Sequence, residues 1–182
     1  MIAAPAAAPA AALTQLIAGQ TGAHERQLAR FDDTQWQHYL DLLSALFVLV
    51  VHRRFRPGDP AAIIRYVASV RERFDPAGTG IEPTTAETLL YAALGQHDTL
   101  PATADTIAAQ TMLVVALVND EGLSQAGLAN LINDTNELIA LHAELAELES
   151  PPDTVDPTPA EEADPPTPDT TAGAEGDRPA QQ

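Results

Sequence analysis

The chain has 182 residues, a net charge of −17 and no cysteine, which excludes disulfides, thiolate zinc sites and cysteine nucleophiles. Its pI near 4.3 argues against general nucleic-acid binding, because phosphate contacts need clustered cations. The charge is unevenly placed: eight of nine arginines lie between Arg26 and Arg73, and lysine is absent. From Ile81 onward nineteen acids stand against one base, Arg178, a net −18.

Residues 1–12, MIAAPAAAPAAA, carry Ala-x-Ala motifs but no positive n-region, and Pro5 and Pro9 interrupt any apolar h-region. They read as a flexible leader rather than a signal peptide, which makes the expected location cytoplasmic. A first helix is expected over about 10–18, stopping near Gly19, with another short piece over 25–31. Asp32 and Asp33 then open a helix to about Arg54, with a stripe of Trp36, Tyr39, Leu40, Leu43, Phe47 and Val50. Leu42, Leu46, Val48, Leu49 and Val51 widen the stripe until the second half is apolar all round.

Asp59-Pro60 is a strong helix start, an acceptor at N-cap and proline at N1. Ile63, Ile64, Val67, Val70 and Phe74 follow on one side, with Arg65, Arg71, Glu72 and Arg73 largely on the other. Thr84 and Glu87 have capping-box spacing before a helix that ends at Gly95. Pro101 should open the next, to about Asn119, apolar all round from Met112 to Val118. Gly122 ends it and Ser124 can cap the last run, to Glu149, with Asp134 and Glu137 marking an expected break.

Two helices with apolar perimeters, 42–51 and 112–118, belong at the centre, with amphipathic helices around them. The fold expected is all-α: a single compact bundle of about six helices over 13–149. From Ser150 to Gln182 the chain is proline-rich, with eight acids, one arginine and a single sizeable apolar residue, Val155. That composition reads as a disordered acidic tail, which would tune association with a basic partner or compete for the protein's own arginines.

Chemical motifs are few. Leu42–Val51 followed by HRRFR resembles the edge of a membrane span, but ten residues cover only about 15 Å of a ~30 Å hydrocarbon core. No membrane association is expected. The arginines of HRRFR sit at a helix C-terminus, where cations favour the negative end of the dipole, and could also pair with acids such as Asp59. The functional alternative makes Arg53, Arg54, Phe55, Arg56 and Arg65 the partner-binding residues, with Phe55 as apolar anchor.

Gly122–Ile132 echoes the first helix of a helix-turn-helix, yet the residues after it carry no cation to face phosphate. The five histidines are scattered; His38 and Asp41 share a helical face at i,i+3, which is a fragment and not a metal site. No Gly-x-Ser-x-Gly or phosphate-binding glycine loop occurs. No catalytic residue, metal or cofactor is therefore assigned.

The segments RRFRPGDPAAIIRYVASVRERFD, IEPTTAETLLYAALG and TMLVVALVNDEGLSQAGLANLI together resemble small helical proteins common in actinobacteria, whose function is unassigned. The resemblance spans about residues 36–145. It implies one helical domain and lends no site. The leading functional expectation is a non-catalytic protein–protein interaction protein, an adaptor or regulator. The alternative is a small-molecule-binding or catalytic bundle with a pocket between the central helices near Arg53, Arg65 and Tyr66. Self-association through Leu138, Leu141, Leu145 and Leu148 is a further expectation, and nucleic acid is not expected as a partner.

Overall fold

Alanine's helix propensity carries the first helix further toward the N-terminus than residues 1–12 suggest. The computed structural model describes residues 7–78 and 80–149, with side chains as far as Leu145. In it α1 spans Ala7–Ile17, and Pro9 lies in the first turn, where its missing N–H breaks no helical bond. Ala12 and Leu13 are fully buried, so the stretch expected to be leader contributes to the core. Gly19, at φ +73°, turns the chain out of the helix. The acidic tail at 150–182 and the side chain of Leu148 lie outside the described residues.

Six further helices follow among the described residues: α2 (Thr21–Leu28), α3 (Asp33–Arg54), α4 (Pro60–Phe74), α5 (Pro83–Ala93), α6 (Ala104–Asp120) and α7 (Gln125–Glu149). No strand forms among them. Asp32 caps α3 through the Gln35 N–H, and the Gln35 side chain returns the bond to complete a capping box. Asp59 caps α4 through the Ala62 N–H at 3.0 Å.

Helix α2 spans Thr21–Leu28 where 25–31 was expected, and three further readings change at α5, α6 and α7. Helix α5 is capped by Glu82, not Thr84: Pro83 takes N1, and the Glu82 carboxylate accepts from the Thr84 and Thr85 N–H groups. Those bonds, Thr85 first, hold the Glu82 carboxyl below its ordinary pKa. Helix α6 starts after Thr103, which forms a capping box with Thr106, while the Pro101 carbonyl accepts from the Thr106 hydroxyl at 2.7 Å. Helix α7 runs unbroken past Asp134, and Thr135 is buried there, its hydroxyl donating to the Leu131 carbonyl at 2.8 Å within the continuing helix.

Helices α3 and α6 form the centre and pack on each other more extensively than any other pair. Helix α3 also meets α1, α5 and α7, and α6 also meets α1, α4 and α5. Leu42, Leu43, Leu46, Val50 and Val51 interlock there with Leu113, Val114 and Leu117, all nearly inaccessible. Each such side chain contributes about 1.5–3 kcal/mol of transfer free energy. The centre is not apolar-buried all round, since Val48 stays exposed. Trp36 also leaves the expected stripe: it stands at the surface, edge-on to Phe31 and Tyr39.

The loop between α4 and α5 folds around an internal anion. Asp75 is buried and accepts from the N–H groups of Gly80 (3.0 Å) and Ile81 (2.9 Å). The glycine-bearing sequence here thus wraps the chain's own carboxylate. No described helix is long and apolar enough to cross a membrane.

Candidate functional site: an arginine-lined cleft

Helix α3 ends at Arg54. Phe55 then adopts extended backbone while its N–H still closes on the Val51 carbonyl at 2.8 Å. Phe55 is buried and meets Tyr66 of α4 edge-on, with ring centroids 5.3 Å apart. The two rings floor a cleft of about 650 Å³. Its walls come from the end of α3, the loop to α4, one face of α4 and the end of α6: Arg54, Arg56, Asp59, Arg65, Ser69, Arg73 and Asp120. On α4, Ala62, Arg65, Tyr66, Ser69 and Arg73 share this side because they recur at helical spacing.

The polar groups differ in how far they are satisfied. Arg73 donates to Asp120 through both terminal nitrogens, at 2.7 and 3.2 Å, and through Nε to the Ser69 carbonyl at 3.3 Å. This fork raises the Arg73 pKa and lowers that of Asp120. Arg54 lies over the Phe55 and Tyr66 rings, 5.8 and 5.9 Å from their centroids. Among the described residues Arg54, Arg56 and Arg65 have no ion-pair partner. Four guanidiniums against the carboxylates of Asp59 and Asp120 leave the cleft formally +2 in a protein of charge −17.

Below them sits the Tyr66 hydroxyl, whose oxygen is buried without a hydrogen-bond partner of good geometry. Burial, and then the nearby Asp120 charge, push its pKa well above the ordinary phenol value. Asp120 lies close enough to draw the phenolic proton by charge and by a hydrogen bond of poor geometry, while its oxygens accept from Arg73. The cleft therefore holds a neutral, protonated donor beneath a ring of cations, an arrangement suited to an entering oxyanion.

Four of the five residues expected from sequence to bind a partner gather here: Arg54, Phe55, Arg56 and Arg65. Arg53 does not. It points away and pairs with Glu121 at 3.3 Å, half-exposed, so it ties α3 to α6. Phe55, expected as the apolar anchor, is buried in the floor, with Tyr66 edge-on to its ring and the Arg54 guanidinium 5.8 Å from its centroid. Among the described residues Asp59 forms no ion pair with the arginines, and its Oδ1 caps α4. The cavity itself lies at the C-terminal rim of α3 and α6, bounded by α4, rather than between the two central helices.

Ser69, Arg73 and Asp120 were not singled out from sequence. The i,i+4,i+8 spacing of Arg65, Ser69 and Arg73 was available as a signal. Nothing in the sequence joins Asp120 to a residue 47 positions earlier. Elsewhere, Asp41 accepts from Gln37 at 2.9 Å beside His38, and no described cluster of three or more His, Asp or Glu could hold a metal ion. On α7, Leu138 is half-buried whereas Leu141 and Leu145 are exposed. The chain matches no protein family, no curated protein and no solved structure.

Proposed function

We propose that this is a non-catalytic interaction protein whose arginine-lined cleft receives an acidic segment of another protein. The observation that carries the reading is the convergence of Arg54, Arg56 and Arg65, without ion-pair partners among the described residues, on an open cleft floored by Phe55 and Tyr66. Guanidinium forks match carboxylates bidentately, and the aromatic floor supplies apolar contact to the stem of an incoming Glu or Asp. Because the rest of the protein is strongly negative, the positive cleft is where an acidic chain meets least repulsion.

The test uses a fluorescent poly-glutamate peptide and its anisotropy at low salt. The wild-type protein should bind it, and Arg54→Glu with Arg65→Glu should weaken binding about tenfold or more, mainly through the on-rate. The weakening should shrink as salt rises, since exposed charges are screened over about 8–10 Å. Arg53→Glu, outside the cleft, should leave binding within about twofold. Equal binding by a double variant with an unchanged far-ultraviolet helical signal would refute this site.

A second reading, a small anionic ligand, draws on two features. The cleft volume of about 650 Å³ falls in the usual range for ligand pockets, and the unpartnered Tyr66 hydroxyl lies within it. Thermal protection by inorganic phosphate or citrate, with no binding of the peptide, would favour that reading over the first.

A further inference from the structure

Helix α7 is anchored through its first half, and its described side chains beyond Ile139 are exposed. Leu128, Leu131, Ile132 and Thr135 are buried against the body, where α7 meets α3 and α1. Ile139 is the last described α7 side chain packed on the core. From Ala140 to Leu145 every residue is exposed, including Leu141 (52%) and Leu145 (48%). Leu138, Leu141 and Leu145 stand at i, i+3 and i+7, one face of the helix, so the structure leaves a short leucine strip facing solvent.

The charges beside that strip are of one sign. Asp134 precedes it on the same face, and Glu137 and Glu144 flank it, all exposed. No lysine or arginine occurs anywhere in Gln125–Glu149, and the last turn carries no base. Acids at a helix C-terminus oppose the macrodipole, whose negative end lies there. Pairing two copies would set Glu137 and Glu144 against further acids, since the only other titratable group on the described strip is His142. The exposed leucines, the unrelieved acids and the unfavourable dipole are all answered by one kind of occupant.

We infer that the free end of α7 docks a basic amphipathic helix of another protein, its apolar face on Leu138, Leu141 and Leu145 and its cations on Glu137 and Glu144. The strip is about two turns long, so the contact is of the small, weak and salt-sensitive class. This inference is independent of the arginine cleft, whose occupant has the opposite charge.

The experiment titrates the full-length protein with a labelled Leu/Lys peptide of helical apolar periodicity, beside a scrambled peptide of the same composition. The amphipathic peptide should bind at least about tenfold more tightly than the scrambled one. Leu141→Asp with Leu145→Asp should remove that preference, while Glu144→Gln should weaken binding and flatten its salt dependence. Both leucines are exposed, so the helical signal and thermal midpoint should hold. Equal binding of the two peptides would reduce the effect to bulk charge and overturn the proposal. So would sedimentation as a dimer that the leucine substitutions dissociate, which would make a second copy the occupant.

Discussion

Replacing Tyr66 with Phe should make the protein more stable and a poorer anion binder. The ring is buried and meets Phe55 edge-on, and the substitution keeps both packing and volume. Only the hydroxyl is lost, and its oxygen has no hydrogen-bond partner of good geometry. An unsatisfied buried hydroxyl costs about 1–3 kcal/mol. The Asp120 charge nearby recovers part of that cost, which places Tyr66 near the lower end. A gain of about 1 kcal/mol follows, a rise of roughly 3 °C for a domain of this size. Calorimetry and urea unfolding would measure it, with an unchanged urea m-value showing that the unfolded state is not the cause. Binding of the poly-glutamate peptide should weaken in the same variant, because the donor beneath the cations is gone. A loss of 1 kcal/mol or more would show that the hydroxyl is hydrogen-bonded in solution, with Asp120 as the evident partner.

Phe47→Ala should cost about 3–5 kcal/mol in urea unfolding, since the ring is 3% exposed at the α3 centre; a folded variant of unchanged stability would place α3 at the periphery. Alkaline pH should also destabilise. Burial pushes the Tyr39 phenol from 10.0 up to about 12, so the folded state holds its proton longer than the unfolded chain does. That contribution is complete below pH 10 and is lost as pH rises toward 12. Tyr39→Phe should flatten the decline in thermal midpoint across that window, and an unaltered slope would assign it to other groups.

The helices were legible because local signals agreed: Asp32 and Asp59 as caps, glycines as stops, and leucine spacing on α3 and α6. Where two local signals competed, the sequence did not rank them. Thr84–Glu87 has capping-box spacing, but Glu82-Pro83 just upstream supplies an acceptor and a proline at N1, and the helix starts there. α7 runs through the expected break where it packs against α3 and α1 with Thr135 buried, and that packing leaves no local signal. The cleft was half legible. Arg54, Arg56 and Arg65 stood out by charge, while the sorting of Arg53 from Arg54 rests on Glu121, which is 68 residues away. Long-range pairing of single side chains leaves no periodic trace.

The fork between Arg73 and Asp120 gives the cleft a resident counter-ion. An incoming carboxylate that takes Arg73 must displace Asp120, leaving that acid beside the newcomer and cancelling most of the gain from a one-for-one exchange. Net attraction then depends on reaching Arg54, Arg56 and Arg65 at the same time. A lone acetate-like group would gain little, whereas several closely spaced acids, or one group of higher charge density, would engage the unpaired guanidiniums and leave Arg73 where it is. For the acidic partner proposed above, Asp120 would set a threshold, and Asp120→Asn would be the change that makes the cleft less discriminating.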